Sequence, residues 1–136
     1  MLRNVGAVIA GMLVGSVINM ALILVNFKLF AAPDSMSFSD EAAMVEFIGT
    51  LPPHAFILPM VAHLAQAFVG GWVAARLGTD QPMRLALFVG ALSLIGGLMN
   101  MAQIPHPIWM WIEVPLYIVV AWAAGTLEVR RRAAAA

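Results

Sequence analysis

Four runs of apolar residues, separated by polar connections, constrain this chain more than any other feature. The first extends from about Val5 to Leu29 and is broken by Asn19, Asn26 and Lys28; the others cover about Pro53 to Leu77, Met83 to Ile104 and Ile108 to Leu127. Each reaches the roughly 20 residues that a helix rising about 1.5 Å per residue needs to cross the hydrocarbon of a bilayer. Composition agrees, with 62% hydrophobic and 10% charged residues and a mean hydropathy of +0.93, values outside the range of ordinary soluble domains. The sequence therefore predicts an all-α fold, an integral membrane bundle of four transmembrane helices forming one domain over residues 1–136. A signal peptide is the competing reading of the first run, but its apolar core would be only about 7–15 residues long, so this run is read as a retained anchor.

Several function classes fall away at once. With no cysteine in the chain there is no disulfide, thiolate metal site or thiol nucleophile. A formal net charge of zero offers no field to recruit nucleic acid. No phosphate-binding glycine loop, HExxH pair or Gly-x-Ser-x-Gly elbow is present, and no nucleophile, base and orienting group share one polar region. No catalytic residue, metal or cofactor is therefore assigned.

Residues 31–52 differ in kind, because they hold Asp34, Asp40, Glu41 and Glu46 without a basic residue. Ser39 is placed to cap a short helix whose first turn contains Asp40 and Glu41. Met44, Phe47 and Ile48 fall on one side of it, which predicts a short amphipathic outer helix lying on the membrane surface or capping the bundle. Orientation follows from the basic residues: Arg3, Arg76, Arg84, Arg130, Arg131 and Arg132 lie on one side of a four-span arrangement, and Lys28 lies on the other. Both termini are expected in the cytoplasm, with the acidic segment and the 105–107 turn outside. Trp109 and Trp111 then mark the outer interface, and Trp72 and Trp122 the inner one. The arginine triplet is read as a topology signal that also touches anionic headgroups.

Hydrophobicity drives little association between helices in lipid, so close approach at small residues and polar contacts must hold them together. Each span carries a suitable stripe. Gly11, Gly15 and Asn19 are spaced by four, with Asn26 seven further on; His63, Gln66, Gly70 and Ala74 share a face of the second span. Ala86, Gly90, Ser93, Gly97 and Asn100 do so in the third, and Glu113, Tyr117, Ala121 and Gly125 in the fourth. At about 1.5 Å per residue, Glu113 lies roughly 9 Å below the outer turn and His63 and Asn19 roughly 15 Å, with Asn26 and Asn100 nearer the surface. The polar groups thus gather in the outer half, while the inner half contains no ionisable group before the terminal arginines. This pattern predicts a sealed network or a pocket open outward, rather than a polar path across the membrane.

Glu113 carries the strongest functional signal, since an ionisable residue within a span is costly and is a functional candidate by default. It is read either as a proton carrier or cation ligand, with His63 as partner, or as a carboxyl that sets helix register by bonding Asn100, Asn26 or Tyr117. Pro115 is expected to remove an intrahelical hydrogen bond and free a carbonyl nearby. His63 beside Gln66 more simply bonds a carbonyl or amide than a metal. His54 and His106 are the weakest metal candidates, together with Glu113, and the ten methionines are read as packing or lipid-facing bulk.

The stretches "LPPHAFILPMVAHLAQAFVGGWVAARL", "MRLALFVGALSLIGGLMN" and "IPHPIWMWIEVPLY" resemble a group of small bacterial four-span proteins with no assigned activity. The resemblance covers most of residues 49–125 in layout, without a diagnostic motif. It implies a bacterial inner-membrane setting and four helices. Three functional expectations result. The first is a non-enzymatic accessory or self-associating bundle, whose partners are the lipid bilayer and a second copy or another membrane subunit. The second is an oligomeric proton-coupled carrier of a small cation or lipophilic ligand using Glu113. The third is a membrane enzyme or metal site using His63 and Glu113.

Overall fold

A computed structural model describes residues 2–33, 37 and 39–135. Asp34, one of the acidic residues named above, lies outside them. The described residues are helical throughout, without a strand. Helix α1 covers Leu2–Leu29, α2 covers Glu41–Gly49, α3 covers Ile57–Leu77, α4 covers Pro82–Gln103 and α5 covers Glu113–Ala134. Short 3-10 turns, Pro53–Phe56 and Ile108–Ile112, lead into α3 and α5. With these turns included, α1, α3, α4 and α5 are each long and apolar enough to cross a membrane, which is the layout of a multi-pass membrane protein.

The four long helices run alternately up and down, and α3 is their hub, packing against α1, α4 and α5. Its fully buried residues explain how: Ala62, Ala67, Gly70, Gly71, Ala74 and Ala75 are all small, so three helices can approach its backbone. Helix α1 docks chiefly on α3 and leaves most of its surface uncovered, including Ile9, Leu13, Val17 and Met20. Contact is closest where Gly11 crosses Gly70. A Cβ at Gly11 would collide with the Gly70 carbonyl, and one at Gly15 would lie 2.6 Å from the Gln66 carbonyl. On the other side of the hub, Gly90 faces Ala121, Gly97 accepts the Tyr117 ring, and a Cβ at Gly125 would lie 2.7 Å from the Met83 sulfur. All six glycines of the predicted stripes that were singled out for packing thus stand at helix crossings.

The two ends of the bundle are built differently. At the arginine end, Glu128 is completely buried and accepts from Arg131 at 2.6 and 2.7 Å and from Arg132 Nε at 2.9 Å, with Arg76 at 3.8 Å. Arg132 also donates to the carbonyls of Ala75, Gly78 and Thr79, satisfying the last turn of α3. Arg3 binds the Leu77 carbonyl and Asn4 accepts from Thr79, so α1, α3 and α5 are tied together here. The arginines therefore also hold the fold together, and the half of the bundle expected to face the cytoplasm does contain an ionisable residue before Arg130. Its register explains the difference: α5 continues past Leu127, which places Glu128 toward α3 at three and four residues from its arginine partners.

At the opposite end α2 forms a roof. Ile48 joins a cluster with Ala55, Phe56, Met101 and Met110, against which Met44 and Phe47 also pack, and Phe47 meets Phe27 of α1 edge-on with ring centroids 6.0 Å apart. The helix cap differs from expectation. Asp40 is the N-cap, its carboxylate accepting from the Ala43 amide at 3.0 Å, while the Ser39 hydroxyl bonds that of Ser37. One residue of register separates the two assignments, and the carboxylate is the stronger acceptor for exposed amide dipoles. Asp40→Ala should therefore weaken α2 by about 1 kcal/mol, read as several-fold faster amide exchange confined to 41–49; unchanged exchange would remove the capping role.

Candidate functional site

The roof and the hub between them position a polar site. Glu113 is the first residue of α5, completely buried, and its two carboxyl oxygens each lie 3.3 Å from Nδ1 of His63 on α3. Tyr117, one turn further along α5, interacts with the same carboxyl while its ring covers Gly97. Equal distances to both oxygens identify a bifurcated contact, Nδ1 facing the carboxyl group as a whole. It is long for such a bond, just beyond the usual 2.7–3.2 Å. Neither Asn26 nor Asn100 bonds the carboxyl among the described residues, so of the proposed register partners only Tyr117 is near it.

Pro115 acts differently from the sequence expectation. Because α5 begins at Glu113, the proline occupies the first turn, where an amide lacks an intrahelical partner anyway. It marks the change from 3-10 to α geometry instead of interrupting a span. The Glu113 amide donates to the 3-10 turn behind it, including the Met110 carbonyl.

Beside the Glu113–His63 pair lies a polar chamber of about 240 Å³ lined by Asn19, His63, Gln66, Ser93, Asn100 and Tyr117, with Gly96 and Gly97. Asn19 donates to the Gln66 side-chain carbonyl at 2.8 Å. A second chamber, of about 230 Å³, adjoins it at Asn19, His63 and Asn100 and extends beneath α2. Its walls are mostly apolar, and Met20, Met44, Met101 and Met110 all contribute. Three buried oxygens at these walls have no hydrogen-bond partner among the described residues: Asn19 Oδ1, Asn26 Oδ1 and Ser93 Oγ. Such atoms are uncommon in a native interior and each needs an explanation.

The structure thus brings together Glu113, His63 and Tyr117, and separately Asn19 with Gln66; Asn100 sits between the chambers and Asn26 lines the apolar one. The histidines proposed with Glu113 as a metal site go elsewhere. His54 is exposed against the Phe30 ring, and His106 engages the Ile104 carbonyl and packs on Trp111. Among the described residues no three His, Asp or Glu side chains are grouped to hold a metal ion. Two features escaped the sequence reading. Glu128 had a signal in its spacing to Arg131 and Arg132. The methionine walls had none, because the four residues come from four separate elements or turns. Comparison with known proteins finds no matching family model, curated protein or solved structure.

Proposed function

We propose that this is a non-enzymatic component of a bacterial inner membrane, with both termini in the cytoplasm, whose outer half binds a small molecule next to Glu113 and His63. The observation that supports it best is the pair of adjoining chambers. A sealed structural network would close around its polar atoms; here His63, the partner of the buried Glu113, lines open space, and buried oxygens of residues around that space lack partners among the described residues. Small-residue packing and the Glu128 cluster fill the opposite half, which favours a pocket over a through-path. The apolar flanks of α1 suit acyl chains or a neighbouring membrane subunit.

Orientation and access are tested together, because a chain without cysteine permits single reporters. The thiol of Ser39→Cys should react with a membrane-impermeant maleimide in intact cells, whereas that of Asp80→Cys should react only after the membrane is opened. Ser93→Cys should react in native membranes with a small methanethiosulfonate, despite burial of the serine. Outside labelling at 80, or a thiol at 93 that reacts only after denaturation, would refute the proposal.

A further inference from the structure

We infer that the pocket takes a lipid-soluble molecule with a hydrogen-bond-donating head, a hydroxyl or an amine, on a slender apolar body. This rests on the binding role proposed above and adds the chemical class of the ligand.

The head is specified by what the polar chamber leaves unmet. His63 contacts both oxygens of Glu113 through Nδ1, and no hydrogen bond among the described residues engages its other ring nitrogen. Asn19 spends its amide group on Gln66, leaving Oδ1 buried and without a donor. The Ser93 hydroxyl, on a residue 3% exposed, has no partner either. Of these groups Asn19 Oδ1 can only accept, and the Ser93 hydroxyl can do so. A donor head meets Asn19 Oδ1 and can be accepted by Ser93 Oγ as well; an acceptor-only head leaves Asn19 Oδ1 as it is.

The body is specified by volume and wall chemistry. Chambers of about 240 and 230 Å³ each fall below the roughly 300–1,000 Å³ of small-molecule sites, but joined at Asn19, His63 and Asn100 they reach it. One molecule filling both would place its polar end by His63 and its apolar part beneath α2, among flexible methionine walls that adapt to irregular shapes. The rim is consistent with access from the bilayer: Met20 of the apolar chamber is 51% exposed on the flank of α1, and Gly96 of the polar chamber is exposed on α4 with open space where a side chain would be.

The test uses the full chain in lipid nanodiscs with a thiol reporter in the apolar chamber, Met101→Cys, and four probes of matched length: 1-decanol, decylamine, decyl methyl ether and decanoate. At saturation, decanol and decylamine should slow labelling about tenfold or more, whereas the ether, which cannot donate, should not. Adding Ser93→Ala or His63→Gln to the reporter should remove that protection. Ser93→Ala should do so without lowering the thermal midpoint, because the lost hydroxyl has no partner; a merely structural serine would show the reverse. Equal protection by the ether, stronger protection by decanoate, or protection that survives both substitutions would overturn the donor-head assignment. If the thiols at 93 and 101 both react but no probe protects the one at 101, the ligand class fails and the pocket stands. If the thiol at 93 is inert in the folded protein, the pocket itself fails.

Discussion

Glu113→Ala is expected to lower the free energy of unfolding by about 1–3 kcal/mol, the usual cost of leaving a buried hydrogen-bonding group without its partner. The loss comes less from the contact than from its remains. His63, with a side chain only 11% exposed, would keep a polar nitrogen facing an empty site between α3 and α5. His63→Ala should be costly for the converse reason, and the double substitution should cost clearly less than the sum of the singles. Glu113→Gln keeps both an acceptor and a donor facing Nδ1 and should retain most of the stability. Reversible unfolding in mixed micelles, followed by circular dichroism, measures all four proteins. Strict additivity would mean that the two side chains do not act as a pair.

The second large effect concerns the crossing of α1 and α3. Gly11→Leu must push α1 off its seat, because the first added carbon meets a backbone carbonyl that cannot rotate away. A loss of about 3 kcal/mol is expected, with α1 becoming accessible to protease while α3, α4 and α5 stay associated. Gly6 provides the control within the same helix. It is exposed with nothing near its missing Cβ, so Gly6→Ala should be neutral or raise stability by about 0.5–1 kcal/mol. If the two substitutions proved equivalent, α1 would not be held by close backbone approach.

Much of this architecture was legible in the residues, because hydrocarbon permits few solutions for a chain with such long apolar runs. Apart from α5, which runs on to Ala134 instead of ending near Leu127, the helix ends lie within a few residues of the expected ones, and the glycine and alanine stripes that predict close packing stand at observed crossings. Neighbour relations were less accessible. Pairing of Glu113 with His63 depended on spans two and four being adjacent, a fact of tertiary order that spacing within either helix cannot express. Asp40 and Ser39 are both good caps, and a shift of one residue decides between them. Glu128 was not singled out, because its burial depends on α5 continuing beyond Leu127. The apolar chamber could not be foreseen, since it exists only where α2 closes over a gap between α1 and α4.

The contrast between the two ends of the bundle has a mechanical consequence. Side chains of Arg3, Asn4, Glu128 and Arg132 fasten three helices at one extremity, whereas the other is joined by a small roof and loose walls. Any widening of the chambers must therefore pivot about the fastened extremity. Because α1 is 28 residues long, it is a lever of about 40 Å at roughly 1.5 Å per residue, and a tilt of about 5° moves its free tip by roughly 3–4 Å. A molecule the width of an alkyl chain can be admitted by a swing that barely disturbs the anchored turns.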